Sequence, residues 1–230
     1  MKEILKVEGL TLRQGHRPLV NSLHLQGSAS DIIAVIGENG AGKTSILKAL
    51  AGLTAIAPRR VWLHQKDLSD TLPMERAQKI SFLLQETPLQ PYCLAQNRIA
   101  HGLTPFVGFQ APTSKEFGER IHTVAHNLGI AHLLSRRLMC MSGGEQRLVY
   151  LAKTLINLKA PLILLDEPTA FLDFKQRANL QEVLLKRAQL GSLIIFSSHD
   201  EGFIRGFATR ILQVKDQQVI EKPTSSNCIF

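Results

Sequence analysis

Apolar and polar positions change period several times along this chain, and each change marks an element. Over the first thirty residues they alternate, so that Leu5, Val7, Leu10 and Leu12, then Leu23 and Leu25, share one face. A period of two is that of half-buried strands, and the intervening Gly15-His16-Arg17-Pro18 reads as a turn, which predicts an antiparallel edge hairpin. Ile32-Ile33-Ala34-Val35-Ile36 drops the alternation and reads as a strand covered on both faces. Leu162-Ile163-Leu164-Leu165 and Leu193-Ile194-Ile195-Phe196 have the same character, each after a helical pattern, which predicts a parallel sheet in an α/β core. Val61-Trp62-Leu63 reads as sheet packing. Residues 43–50 form a predicted helix closed by Gly52. From about residue 86 to 153 strand signals stop and helix-compatible stretches take over, including 114–127 and the segment after Ser142, which predicts an inserted helical lobe.

Composition narrows this picture only modestly. At 230 residues and 44% hydrophobic content the chain can bury one compact core with a smaller lobe. Its apolar runs fall far short of the ~18 residues a spanning helix needs. The start, Met1-Lys2-Glu3-Ile4-Leu5-Lys6, has no continuous apolar stretch, so no secretory signal is expected, and residues 221–230 read as a flexible tail. Cys93, Cys140 and Cys228 are scattered, as suits reduced thiols in a cytosol. A net charge of +8 admits nucleic acid, an anionic membrane face or ordinary solvated surface. Because the basic residues are dispersed and aromatics make up only 6%, a single-strand stacking platform has little support.

Chemistry enters with Gly37-Glu38-Asn39-Gly40-Ala41-Gly42-Lys43-Thr44, a complete G-x-x-x-x-G-K-[ST] phosphate-binding loop lying between a predicted strand and a predicted helix. Glycines let successive N–H groups turn inward, and the helix N-terminus adds its positive dipole end. The strand at Leu162 ends in Asp166-Glu167, where one carboxylate can hold Mg²⁺ and the other can orient or deprotonate an attacking water. Ser142-Gly143-Gly144-Glu145 opens a helix as a capping box, followed by Leu148, Leu151, Ala152 and Leu155 at helical spacing. His122 and His126 have the i, i+4 spacing of two zinc ligands but lack the intervening glutamate, and are read as a solvated helix face.

Taken in order, these strings resemble the nucleotide-binding subunit of ATP-binding cassette (ABC) transporters over nearly the whole chain. The resemblance implies a P-loop NTPase (RecA-like) core with an antiparallel β subdomain and an inserted α-helical subdomain. It gives one ABC domain over residues 1–220, with the core and β subdomain in 1–85 and 154–220 and the helical lobe in 86–153. It also implies ATP and Mg²⁺: Lys43 on the β- and γ-phosphates, Thr44, Gln85 and Asp166 at the metal, and backbone N–H groups from Gly40 to Ser45 around the phosphates. Glu167 would act on the water, His199 on the γ-phosphate, Asp173 across a dimer interface, and Ser142-Gly143-Gly144 on the nucleotide of a second copy. The implied partners are that second copy, integral membrane permease subunits and, through them, an external binding protein; nucleic acid is not expected. The implied place is the periphery of the cell membrane, on its cytoplasmic face.

Arg76 to Gln85 and Leu94 to Pro105 are similar to the importers of metal chelates, meaning siderophore iron, haem and cobalamin. An exporter subunit for haem or lipoprotein, a soluble ABC-type ATPase acting on nucleic acid, and a nucleotide-gated scaffold are the rival readings. The chain departs from the family in placing Gln14 where an adenine-stacking aromatic is usual, with Arg13 or His16 as alternative planar partners. Met141 replaces a leucine, Leu148 a common arginine, and Pro58-Arg59-Arg60 lacks the usual glycine.

Overall fold

The computed structural model describes residues 2–85, 90–108 and 115–222. The chain begins with β1 (Glu3–Gln14) and β2 (Arg17–Ser28), which turn over Gly15 and His16, so that Arg17 and Pro18 already belong to the second strand. Next come β3 (Ile32–Gly37), α1 (Lys43–Leu50), β4 (Val61–Leu63) and β5 (Lys66–Asp67). α2 (Pro73–Lys79) leads directly into β6 (Ile80–Leu83). The helical lobe holds α3 (Ala95–Ala100), α4 (Thr104–Val107), α5 (Lys115–Asn127) and α6 (Gly143–Leu155). β7 (Leu162–Asp166), α7 (Phe174–Gln189), β8 (Leu193–Ser197), α8 (Glu201–Phe207), β9 (Arg210–Lys215) and β10 (Gln218–Lys222) complete the fold.

Two sheets result: an antiparallel one ordered β2-β1-β4-β5, and a six-stranded one ordered β10-β9-β3-β8-β7-β6. The second is parallel throughout except for β10, which pairs antiparallel with β9. Its central strands are unbroken apolar runs because both faces are covered. Ile33, Val35, Leu162, Leu164 and Ile195 pack toward the antiparallel sheet and α1, while Ile32, Ala34, Ile36, Ile163, Leu165 and Phe196 pack toward the helices. Each fully buried Val, Leu, Ile or Phe among them contributes roughly 1.5–3 kcal/mol. Phe196 also meets the Phe203 ring edge-on at 5.4 Å, which fixes α8 against the C-terminal end of β8.

Three local findings adjust the sequence reading. The tail expected from residue 221 begins later, because Glu221 and Lys222 belong to β10, where Glu221 receives the Arg210 guanidinium through Nε at 2.7 Å and Nη2 at 3.0 Å. Residues 223–230, residue 86 and Ser114 lie outside the described residues, and α5 starts at Lys115. Arg59, in the stretch without a glycine, adopts φ 56°, a left-handed conformation held by its N–H donating to Asp67 Oδ2 at 2.6 Å.

Candidate active site

The phosphate loop follows from where β3 stops. Past Gly37 the chain turns through Asn39 and Gly40 into α1, and Gly42, immediately before the helix, sits at φ 107°. A side chain there would be strained, and its Cβ would also stand 3.3 Å from Leu19 Cβ. Lys43, the first helical residue, is buried and donates from Nζ to the carbonyls of Gly37 at 2.7 Å and Glu38 at 3.1 Å. Burial lowers its pKa, against the opposing pull of the Glu167 and Asp166 charges.

The carboxylates come from the end of β7. Asp166 is only 1% exposed; Ser197 Oγ on the adjacent β8 donates to its Oδ1 at 2.6 Å and accepts the Glu167 N–H at 3.0 Å. Asp166 Oδ2 is buried with no hydrogen-bond partner. Glu167 sits at φ 47°, an unfavourable conformation for a residue with a side chain. Its Oε1 lies 3.0 Å from His199 Nε2, a close contact without hydrogen-bond alignment. Burial raises the Glu167 pKa, and the positive groups at His199 and Lys43 oppose the rise.

These elements enclose a cleft of about 290 Å³ lined by Asn39, Gly40, Gly42, Lys43, Thr44, Ser45, Gln85, Asp166, Glu167 and His199, together with Gln14, Leu19 and Lys48. Thus most residues singled out in the sequence converge on one space. Gly37 and Ala41 do not line it: Gly37 contributes its carbonyl to Lys43, and Ala41 faces a neighbouring recess of about 270 Å³ beside Arg17. Of Gln14, Arg13 and His16, Gln14 alone reaches the cleft.

Ser142, Gly143, Gly144, Glu145 and Asp173 do not line the cleft. Ser142 and Glu145 form the reciprocal capping box of α6, and Asp173 caps α7 by accepting the Gln176 N–H at 2.8 Å. The two segments pack together, since a Cβ on Gly144 would stand 2.6 Å from the Phe171 carbonyl oxygen. Phe171 and Phe174, on either side of Asp173, are 81% and 89% exposed. His122 and His126 are both exposed on α5, and among the described residues no group of three or more His, Cys, Asp or Glu is placed to hold a metal. Sequence reasoning missed Ser197 and Arg147, both of which hold the C-terminal end of β7, and singled out only His199 from the segment after β8.

The sequence profile of the ABC transporter family matches residues 20–170. The chain is an ABC transporter ATPase. This ATPase is 30% identical over 220 residues to the hemin import ATP-binding protein HmuV of Bradyrhizobium diazoefficiens, covering 92% of this chain and 80% of that one. It is 32% identical over 197 residues to the thiamine import ATP-binding protein ThiQ of Haemophilus influenzae, covering 85% and 88%. A nucleotide-free ATP-binding cassette from an ABC transporter superposes with TM-score 0.83 at 20% identity, over 96% of this chain and 91% of that one. An inward-facing metal-chelate type ABC transporter superposes with TM-score 0.81 at 23% identity, over 97% and 84%. These likenesses carry the fold, a P-loop NTPase core with β and helical subdomains. No helix among the described residues of this ATPase is long and apolar enough to cross a membrane.

Proposed function

We propose that this ABC ATPase works as a homodimer on the cytoplasmic face of the membrane, hydrolysing two ATP shared between its copies to drive permease subunits that import a metal chelate. The observation that carries the reading is the separation within one chain. Lys43, Thr44, Gln85, Asp166, Glu167 and His199 converge on the cleft, while Ser142, Gly143, Gly144 and Asp173 lie on a different surface beside two exposed phenylalanines. One chain thus presents half of a site twice over, and a second copy completes it.

In this arrangement Lys43 turns from its loop carbonyls toward the β- and γ-phosphates, with the N–H groups from Gly40 to Ser45 around them. Glu167 takes the proton of the attacking water, and its raised pKa suits that role. His199, beside it, faces the γ-phosphate. Thr44, Gln85 and Asp166 would hold Mg²⁺, and the buried, unpartnered Asp166 Oδ2 fits an ion or its bound water. That ion would neutralise charge on the phosphate oxygens. Closure of the two copies around ATP, and release after hydrolysis, would supply the permease with its alternation.

Two supports favour a chelate cargo: the hemin-import relatives and the similarity of residues 76–85 and 94–105 to chelate importers. The thiamine-import relative, 32% identical over 85% of the chain, makes a small organic vitamin the second reading. Affinity purification of the tagged chain from gently solubilised membranes of its host tests the proposal. Co-purification of a polytopic permease is expected, and recovery with ribosomes or DNA and no membrane protein would reject it.

A further inference from the structure

Arg147 is a buried cation, 5% exposed, that among the described residues hydrogen-bonds to no carboxylate oxygen. Its Nη1 donates to the carbonyls of Leu84 at 3.0 Å and Gln85 at 3.2 Å, and its Nη2 to those of Asp166 at 2.5 Å and Glu167 at 2.7 Å. Burial lowers its pKa while the Asp166 and Glu167 charges oppose this, and a guanidinium stays protonated under such conditions.

The acceptors explain the residue. β6 and β7 pair in parallel from Ile80 opposite Leu162 to Leu83 opposite Leu165, and there the pairing ends. Beyond that point one segment runs on to Gln85 and the other to Glu167 with no β-pairing between them. Just past the pairing the Asp166 carbonyl is buried and those of Leu84 and Glu167 partly so, and leaving such groups without donors is costly. A planar fork of N–H groups spans both strand ends at once, as a lysine ammonium cannot. Glu167 gains most. Its strained φ of 47° needs surroundings that over-determine it, and both of its backbone groups are held, the N–H by Ser197 Oγ and the carbonyl by Arg147.

Arg147 belongs to α6, the helix whose N-terminus is Ser142-Gly143-Gly144. We propose that Arg147 is a positioning residue for hydrolysis, holding the main chain of Gln85 and Glu167 in fixed relation to α6, so that the two ends of the split site in one subunit move as one piece. The inference rests on the homodimer reading above. There, the Ser142 end of α6 serves one nucleotide while Glu167 serves the other, so Arg147 ties the two nucleotide sites together. Leu148, at the position where the family commonly has arginine, points into the apolar core instead and is 2% exposed.

The test uses the purified full chain with Arg147→Gln and Arg147→Lys, following thermal unfolding, ATP affinity without Mg²⁺, kcat, KM and the Hill coefficient for ATP. In Arg147→Gln, kcat should fall about tenfold or more with ATP affinity within twofold of wild type, because small misplacements of reacting groups are costly. The Hill coefficient should drop toward one, and Arg147→Lys should recover part of the rate. On a Glu167→Gln background, Arg147→Gln should reduce single-turnover hydrolysis by less than twofold, since it acts through Glu167. A folded Arg147→Gln protein with kcat within twofold of wild type overturns the inference. So does a parallel loss of affinity and turnover, or failure of both variants to fold, either of which makes the residue a stability contact alone. A wild-type chain without ATPase activity would overturn the functional reading first and this inference with it.

Discussion

His199 Nε2 stands 3.0 Å from Glu167 Oε1, so the imidazole and the carboxylate line the cleft side by side. Glu167→Gln preserves shape but removes the carboxylate proposed above as the base. Hydrolysis should fall by about 10²- to 10⁴-fold with ATP binding retained. Single-turnover assays with labelled ATP, run beside gel filtration, check this, and the variant should elute as an ATP-bound dimer.

Burial raises the Glu167 pKa, and this has two consequences for pH. In the proposed role Glu167 accepts a proton only when ionised, above its raised pKa, so the acid limb of kcat should lie above the ordinary glutamate value of about 4.3. For stability, a raised folded pKa means the protonated form suits the fold. The stabilising contribution is complete below the unfolded pKa and is lost as pH rises through the folded one. Glu167→Gln should therefore raise Tm by about 1–4 °C at neutral pH, with the difference vanishing near pH 4. Equal Tm values at pH 7 would show that His199 and Lys43 cancel the burial effect.

Gly144 approaches the loop of Asp173 too closely for any side chain, since the obstruction at 2.6 Å is a backbone oxygen of Phe171. Gly144→Ala must displace that loop or the start of α6. We expect a destabilisation of about 1–3 kcal/mol and at least a tenfold loss of turnover, with ATP affinity of the isolated chain unchanged because Gly144 does not line the cleft. Denaturant titration and equilibrium ATP binding separate the two effects.

Lys43 contributes charge-assisted hydrogen bonds wherever it donates, and its present acceptors are the carbonyls of its own loop. Lys43→Ala should weaken ATP binding by about 10- to 100-fold, in line with about 1.5–3 kcal/mol for such bonds. Calorimetry at fixed Mg²⁺ measures it directly, and unchanged affinity would remove Lys43 from the phosphate site.

Much of this site was legible because its information is local. The phosphate loop is spelled by consecutive residues between β3 and α1, and Asp166 and Glu167 end an apolar strand whose period already marked it as buried. What escaped is information carried between elements. Ser197 holds Asp166 only because β8 lies next to β7, and the two residues are 31 positions apart. Arg147 bonds main-chain carbonyls, which no side-chain pattern reveals, at separations from 19 to 63 residues. β10 is mostly polar and exposed, and the Arg210–Glu221 pair rather than hydrophobic period marks it as ordered structure.

Gln14 and Leu19 both line the cleft, and Gln14 is the residue that the family resemblance puts in place of an adenine-stacking aromatic. An amide there can donate and accept hydrogen bonds but lacks an aromatic face, so a base placed against it would gain less stacking energy than a ring would give. Gln14→Tyr should supply that face. Stacking of a base on an aromatic side chain is worth about 1–3 kcal/mol, which corresponds to an ATP affinity tighter by about 5- to 100-fold. Because every base has a π-face, GTP should tighten by a similar factor, whereas a gain from a specific hydrogen bond would favour one purine. Binding of both nucleotides to the wild-type and Gln14→Tyr chains distinguishes these outcomes, and no gain for either would show that the base does not lie against Gln14.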